Sequence, residues 1–380
     1  MKIVFMTNYL NHHTLPLCEA FLQIPGVSFH FIALMRTPEF RAKLGYQDVQ
    51  EQYDFVVRGY EQKERERAKQ LCRDCDVMIF GAAPPSVIKE RLKSGKLIFK
   101  YSERVYKKPC PWYELPLRAV KYFWDYGRFK NIYLLCASAY TAGDYARTGT
   151  FINKAFKWGY FTEILAYDAD VLLDRKRPHS LLWVGRWIDW KHPDIAIEIA
   201  YRLKRDGFDF TLDMIGGGEM EPVLQSLIAL YGLQDEVHLL GSMSPQEVRA
   251  HMEESEVFLF TSDRQEGWGA VLNESMNSGC AVVASRAIGA APYLIQDGVN
   301  GLMYEDGNID TLYDKVRFLL EDADARRNMG RNAYETMRDD WNAQMAASRL
   351  VEIFAALLDG RKDAFLFEKG VCSKAEWLFD

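Results

Sequence analysis

The sequence has no long hydrophobic run, few cysteines and no compositional bias toward disorder, and each shortage excludes something. Nowhere in the 380 residues do apolar side chains continue for the roughly 18 positions of a membrane-spanning helix, so no segment reads as a span. The start, Met1-Lys2-Ile3-Val4-Phe5-Met6-Thr7, has too short an apolar run for a signal peptide and reads as a first buried strand. Seven cysteines, an odd number scattered along the chain, argue against a disulfide framework and for reduced thiols in a cytoplasmic compartment. Cys72 and Cys75 form a C-x-x-C, but no second Cys or His pair stands at zinc-like spacing, so neither a metal nor a redox centre is expected there. Disorder is excluded by a 48% hydrophobic and 13% aromatic composition with 26% charged residues. What remains is a folded chain long enough for two domains, each with its own core.

Charge is distributed unevenly. Residues 1–165 hold 25 Lys+Arg against 16 Asp+Glu, whereas residues 166–380 hold 22 against 37, so a half of +9 is joined to a half of −15. A basic domain favours an anionic partner: a phosphate-bearing acceptor, an anionic bilayer surface or nucleic acid. The last is the weakest reading, because the basic half carries no nucleic-acid recognition motif.

Short apolar strands alternate with helical stretches throughout, the pattern of parallel sheets with helices on both faces. In the first half the strands are expected at 3–7, 29–34, 77–80, 97–101 and 132–137. In the second they are expected at 181–185, 211–215, 237–240, 257–260 and 281–284. Each half reads as one Rossmann-like α/β domain. The boundary is expected between 160 and 179, giving a first domain over 1–165, a second over 166–340, and a helix and tail over 341–380 that return toward the first.

The stretch EGWGAVLNESMNSGCAVVAS, residues 266–285, sets Glu266 and Glu274 eight positions apart across a loop-to-helix junction. Gly267, Trp268, Gly269, Ala270 and Val271 lead into the helix, whose first amides suit an anion. Glu274, further in, is a costly charge to bury unless partners such as ribose hydroxyls meet it. In VGRWIDWKHPDIAIEIA, residues 184–200, Arg186 follows a strand that ends at Gly185, and Lys191 precedes Pro193, which opens an amphipathic helix. Cations at the carboxyl end of a strand suit a diphosphate.

Taken together, the Glu-x7-Glu segment and Gly185-Arg186 with Lys191 resemble the retaining glycosyltransferases of family GT4. The resemblance implies the GT-B fold, two Rossmann-like domains facing each other across a cleft. It implies Arg186 and Lys191 on the donor's phosphates, Glu266 on the transferred sugar and Glu274 on the ribose. Gly216, Gly217 and Gly218 resemble the family's glycine-rich turn, and Leu239 and Leu240 fall in the segment whose backbone would read the base. The donor expected is a nucleotide diphosphate hexose, a UDP-sugar ahead of a GDP-sugar, with no tightly bound cofactor and no essential metal. The acceptor expected is a hydroxyl of a glycan or polyprenyl-linked lipid in bacterial surface polysaccharide synthesis. Two Asp-x-Asp matches, Asp168-Ala169-Asp170 and Asp74-Cys75-Asp76, are not expected to hold metal.

In the first half the resemblance thins. The family's glycine-rich loop after the first strand is replaced by Asn8-Tyr9-Leu10-Asn11-His12-His13, which puts Asn11, His12 and His13 where they could meet the leaving phosphates. Glu103 and Arg104, just past a strand's carboxyl end, are the candidate acceptor contacts. Residues 117–130 interleave basic and aromatic side chains at helical spacing, which suits the surface of an anionic membrane. The alternatives are a non-catalytic nucleotide-sugar-binding subunit of a glycosylation complex, a sugar-nucleotide epimerase or a phosphorylase of the same fold.

Overall fold

The computed structural model describes residues 1–38, 48–361 and 363–379. The chain forms two units, one from Met1–Glu163 with Trp341–Asp380 and one from Ile164–Asp340.

The first unit is built on a parallel sheet of β1 (Lys2–Thr7), β2 (Ser28–Ala33), β3 (Val56–Arg58), β4 (Val77–Phe80), β5 (Leu97–Ser102), β6 (Ile132–Cys136) and β7 (Ala155–Lys157). Their order is β3-β2-β1-β4-β5-β6-β7. Runs such as VMIF in β4 are apolar at every position because helices cover both faces of the sheet. β1 lies between β2 and β4, with Ile3 opposite both Phe29 and Val77, so the strand order reverses there. The core on one side gathers Val4, Met6, Met78, Ile98 and Leu134. Full burial of each such side chain contributes about 1.5–3 kcal/mol.

The end of the chain completes this unit. Asn342 caps the helix Ala343–Leu358 by accepting from the Met345 amide at 2.8 Å. Phe354 from that helix packs on Phe99 of β5, ring centroids 4.8 Å apart. Beyond it the Cys372 amide donates to Lys157 O at 2.8 Å, and the Ala375 amide to Ala155 O at 3.0 Å. The tail thus covers the open edge of β7, an edge that would otherwise offer unpaired backbone groups. Trp377 and Phe379, past this contact, are half-exposed.

The second unit repeats the plan with β8 (Arg177–Val184), β9 (Thr211–Ile215), β10 (Val237–Gly241), β11 (Ser255–Phe260), β12 (Ala281–Ser285) and β13 (Leu302–Tyr304). Their order is β10-β9-β8-β11-β12-β13, all parallel, the same 3-2-1-4-5-6 order by position within the unit. Its reversal falls between β8 and β11, where Leu259 lies opposite Trp183. Pro193 opens the helix Pro193–Arg205, which buries Ile197, Ile199 and Leu203 against Leu181, Leu212 and Met214. The start of the unit is pinned by Asn277, whose amide both accepts from Leu165 N at 2.9 Å and donates to Leu165 O at 3.1 Å.

All ten strands expected from the sequence are present. The three that were missed, β3, β7 and β13, are three residues long and lie at sheet edges.

Candidate active site

In an open parallel sheet, the crevice for a ligand lies beyond the carboxyl ends of the strands where their order reverses. In the second unit those ends belong to β8 and β11. The loops after β8, β9 and β11 are tied together there by backbone bonds. The Trp187 amide donates to Gly217 O, the Met220 amide to Trp187 O and the Asp263 amide to Trp190 O, each at 3.0 Å. Thr261, the first residue after β11, accepts from Trp183 Nε1 at 2.9 Å. Its Oγ1 also stands 2.8 Å from Lys191 O and 2.9 Å from His192 O, so it fixes the turn that carries Lys191. His192 adopts a left-handed conformation, φ 49°, that takes the chain from the turn Asp189–Lys191 into the helix at Pro193.

On this frame the Lys191 ammonium donates to a carboxylate oxygen of Glu266, and Ser262 Oγ donates to the same oxygen at 3.2 Å. Both charged side chains are largely enclosed, 12% and 13% exposed. The Lys191 ammonium lies 4.8 Å and the Arg186 guanidinium 5.8 Å from the centre of the Trp190 ring. The structure therefore brings Arg186 and Lys191 to one indole and pairs Lys191 with Glu266. Thr261, Ser262 and Trp190 were missed in the sequence, where a Thr-Ser pair after an apolar strand was the only signal.

The glycines have steric reasons of their own. A Cβ on Gly216 would sit 1.8 Å from Gly185 O, and one on Gly218 would sit 2.4 Å from Trp187 O. Gly216 has φ +150°. The turn after β9 is glycine-rich because the backbone of 185–187 passes directly against it. Gly217 faces Ser242, whose Oγ would be 2.9 Å from an added Cβ, and Gly185 lies against the side chains of Trp183 and Lys191. Gly269, φ +90°, leaves no room for a side chain beside Phe260. Trp268, expected among the donor contacts, is instead buried: its Nε1 donates to Asn273 Oδ1 at 2.9 Å and its carbonyl accepts from the Ala290 amide at 3.0 Å, so it belongs to the interior.

Gly267 is likewise buried, whereas Ala270 and Val271 are partly exposed ahead of the helix Val271–Asn277. That helix is seven residues long and has no side-chain cap. Burial raises the pKa of Glu274 above the ordinary carboxylate value, with the Arg249 guanidinium pulling it down. Leu239 and Leu240 are partly buried at a bulge in β10 that ends in Gly241, φ +76°.

Asp168 accepts from the Asp170 and Val171 amides and caps the helix Ala169–Asp174, while Asp170 pairs with Arg331. Asp76 accepts from the Lys2 amide at 2.7 Å, and Asp74 accepts from Gln70. All four carboxylates of the two Asp-x-Asp matches thus have local structural partners. Burial pushes the Cys72 thiol up to about 12 and raises Cys75 too, which holds both thiols protonated and unreactive.

In the first unit Asn11 acts on its own loop. Its Oδ1 accepts from the His13 amide at 3.0 Å and the Thr14 amide at 3.1 Å, and so shapes the turn into the helix Leu15–Gln23. The His12 and His13 rings lie 3.6 Å apart, and His13 stacks on Tyr160 at 5.5 Å. Tyr160 donates to Glu103, which also accepts from Lys107 at 2.8 Å. Glu103, His13 and Tyr160 form a polar group beyond the carboxyl end of β5. Tyr160 carried no sequence signal because it lies 57 residues from its partner.

Arg104 corrects the reading given to it above. Its side chain is fully buried, 3.8 Å from the Asp144 carboxylate and 4.7 Å from the centre of the Tyr140 ring. Asp144 in turn accepts from the Val105 and Tyr106 amides at 3.0 and 3.1 Å. Arg104 therefore holds the loop after β5 from inside and is not available as an acceptor contact.

Residues 168–336, which contain the whole of the Arg186, Lys191 and Glu266 cluster, match the family described as Glycosyl transferases group 1. Over nearly its whole length the second unit matches a group 1 glycosyltransferase domain. The group 1 match fits relatives of the same kind. Alpha-D-kanosaminyltransferase of Streptomyces kanamyceticus is 30% identical over 174 residues, 46% of this chain and 45% of that protein. The GDP-mannose-dependent alpha-(1-6)-phosphatidylinositol monomannoside mannosyltransferase of Mycolicibacterium smegmatis is 27% identical over 218 residues, 54% of this chain and 56% of that protein. The chain spans about half the length of the curated relatives it matches. Among solved structures, Anabaena HepE in complex with UDP superposes with a TM-score of 0.67 at 16% identity, covering 94% of this chain and all of that one. The two parallel-sheet units thus have the GT-B fold. Among the described residues, no helix is long and apolar enough to cross a membrane.

Proposed function

We propose that this chain is a retaining glycosyltransferase that moves a hexose from a nucleotide diphosphate sugar to a hydroxyl of a glycan or polyprenyl-linked acceptor. The observation that carries the reading is the Lys191–Glu266 pair, with Arg186 beside it, at the strand-order reversal of a group 1 glycosyltransferase domain. Donor phosphates entering here would draw Lys191 away from Glu266 and join it to Arg186. The bond between the anomeric carbon and the diphosphate oxygen breaks, and the two cations bear the charge that develops on the leaving group. The acceptor hydroxyl attacks from the same face and gives its proton to the departing phosphate, so configuration is retained and no metal is required.

Glu266, freed from Lys191, holds hydroxyls of the transferred sugar. Glu274 accepts from the ribose hydroxyls, a role supported by burial that makes an unpartnered carboxylate costly. The names of the relatives and of the solved neighbour suggest GDP- and UDP-sugars as the donors to test, and we take UDP-sugars first. Surface polysaccharide synthesis is the setting we propose, and the relative named for colanic acid biosynthesis supports it.

The test is nucleotide release from a panel of UDP-, GDP- and ADP-sugars, in EDTA and in Mg²⁺, with Glu266→Ala as control. Release from one donor that survives EDTA and is lost in the variant supports the reading, and NMR of the product's anomeric proton reports retention. Strict dependence on Mg²⁺, or an inverted product, would overturn the mechanism.

A further inference from the structure

The first unit carries an apolar surface that the proposed reaction does not use. Of the 17 exposed large hydrophobic residues among those described, six lie within 13 consecutive positions: Trp112, Tyr113, Leu117, Val120, Phe123 and Trp124. Trp112 is 81% and Leu117 76% exposed, values usual for lysine rather than for tryptophan or leucine. They lie on the turn Trp112–Glu114, the helix Leu115–Tyr122 and the single wide turn Phe123–Gly127 that continues it. Tyr113, Leu117, Val120 and Trp124 follow at steps of four, three and four, one stripe of a helix.

The opposite side of the same element is anchored. Tyr122 packs on Tyr145 with ring centroids 5.2 Å apart, Tyr126 packs on Phe151 at 5.6 Å, and Phe129 lies against the same core. The outward stripe is therefore not a core face displaced by misfolding, because this helix already has its core face filled. It is a second apolar face, and a soluble chain leaves such a face in water only for a partner.

The charges beside it say which partner. Residues 107–130 carry six basic side chains, Lys107, Lys108, Arg118, Lys121, Arg128 and Lys130, against two acidic ones, Glu114 and Asp125. Glu114 is already paired with Arg118 at 2.7 Å. Lysine is depleted at protein–protein interfaces, whereas tryptophan and tyrosine flanked by lysine and arginine are the signature of a helix lying in a membrane interface. We propose that Trp112–Trp124 is a docking surface for an anionic phospholipid bilayer. The apolar stripe enters the boundary between headgroups and acyl chains, and the flanking Lys and Arg side chains meet the phosphates. The inference stands on the first unit alone and holds whether or not the second unit transfers a sugar.

The experiment is sedimentation of the full chain with large unilamellar vesicles. One set is phosphatidylcholine with about a third phosphatidylglycerol, an anionic surface of the kind that attracts basic segments, and the other is phosphatidylcholine alone. The wild type should partition at least tenfold more strongly to the anionic vesicles, and the preference should fall as salt is raised. Leu117→Ser with Trp124→Ser should reduce partition at least tenfold. Lys108→Glu with Lys121→Glu and Lys130→Glu should abolish the preference for anionic lipid. Both sets of variants should keep the wild-type melting temperature and the wild-type response to UDP, since all the substituted positions are exposed. No binding to either vesicle, or binding that both sets of variants leave unchanged, would overturn the proposal. So would a wild-type dimer in equilibrium sedimentation that the Leu117→Ser, Trp124→Ser variant dissociates, since the stripe would then face a second copy.

Discussion

The two units share a strand order and differ in what they put at its edges. The first, including its returning tail, holds 30 Lys+Arg against 22 Asp+Glu, and the second 17 against 31. The cations proposed to meet a diphosphate, Arg186 and Lys191, nevertheless sit in the acidic unit. Loops hold both at one indole ring; Arg186 is exposed, whereas Lys191 is enclosed, where a nearby anion is screened less than at an open surface. The positive excess of the first unit is spread over exposed side chains and reaches outward. Net charge thus describes a unit's surroundings, while local geometry describes its chemistry.

The sharpest way to break this contrast is in the first unit's interior. Arg104→Ala leaves the Asp144 carboxylate buried without its guanidinium and should destabilise the first unit by about 3–5 kcal/mol. Hydrogen exchange should show protection falling in 1–163 while 164–340 keeps its own. An activity loss without a change in thermal stability would restore Arg104 as an acceptor contact.

Next in size is Lys191→Ala, expected to lower kcat by about 10²–10³-fold, the usual cost of one electrostatic contact to a transition state. Glu266→Ala should cut turnover more than nucleotide affinity, and Glu274→Ala should do the reverse. Steady-state kinetics with calorimetric nucleotide titration separates the two, and equal losses of both in each variant would contradict the division. Gly216→Ala tests the frame under the site. With its Cβ directed at Gly185 O, we expect about 2–4 kcal/mol of destabilisation. Loss of protection should appear in 164–340 and spare 1–163.

The smallest effect concerns Glu274. Its pKa is raised in the folded protein, so the folded state favours the protonated carboxyl; that contribution is fully present below the unfolded pKa and is lost as pH rises through the folded value. Glu274→Gln should therefore melt higher than wild type above that folded value. The difference should vanish as pH falls toward the unfolded pKa. Thermal melts from pH 4 to 8 check the sign, and a variant less stable at pH 8 than wild type would refute it.

Much of the fold was legible because parallel strands buried on both faces are written as unbroken apolar runs, as in Val257–Phe260 and Val77–Phe80. The edge strands β3, β7 and β13 were not, since three residues at a sheet's rim need no such run. At the candidate site, Arg186, Lys191 and Glu266 were singled out from spacing and family resemblance together, and the structure groups them. What the letters did not contain was the contact between Lys191 and Glu266, 75 residues apart, or the Thr261 hydroxyl that holds the turn. Arg104 misled because a charged residue after a strand reads the same whether it faces water or a buried aspartate.

The closing of β7 by residues 372–375 has a consequence for biosynthesis. The second unit is one continuous stretch, so it can reach its native core while the ribosome is still adding residues. The first unit begins earlier but waits: its sheet keeps a bare edge, and Phe99 lacks the ring of Phe354, until residues 343–375 have emerged. Of the two units, the one begun first is therefore completed second. A nascent chain stalled before residue 341 should present a finished second unit and a first unit that chaperones still recognise.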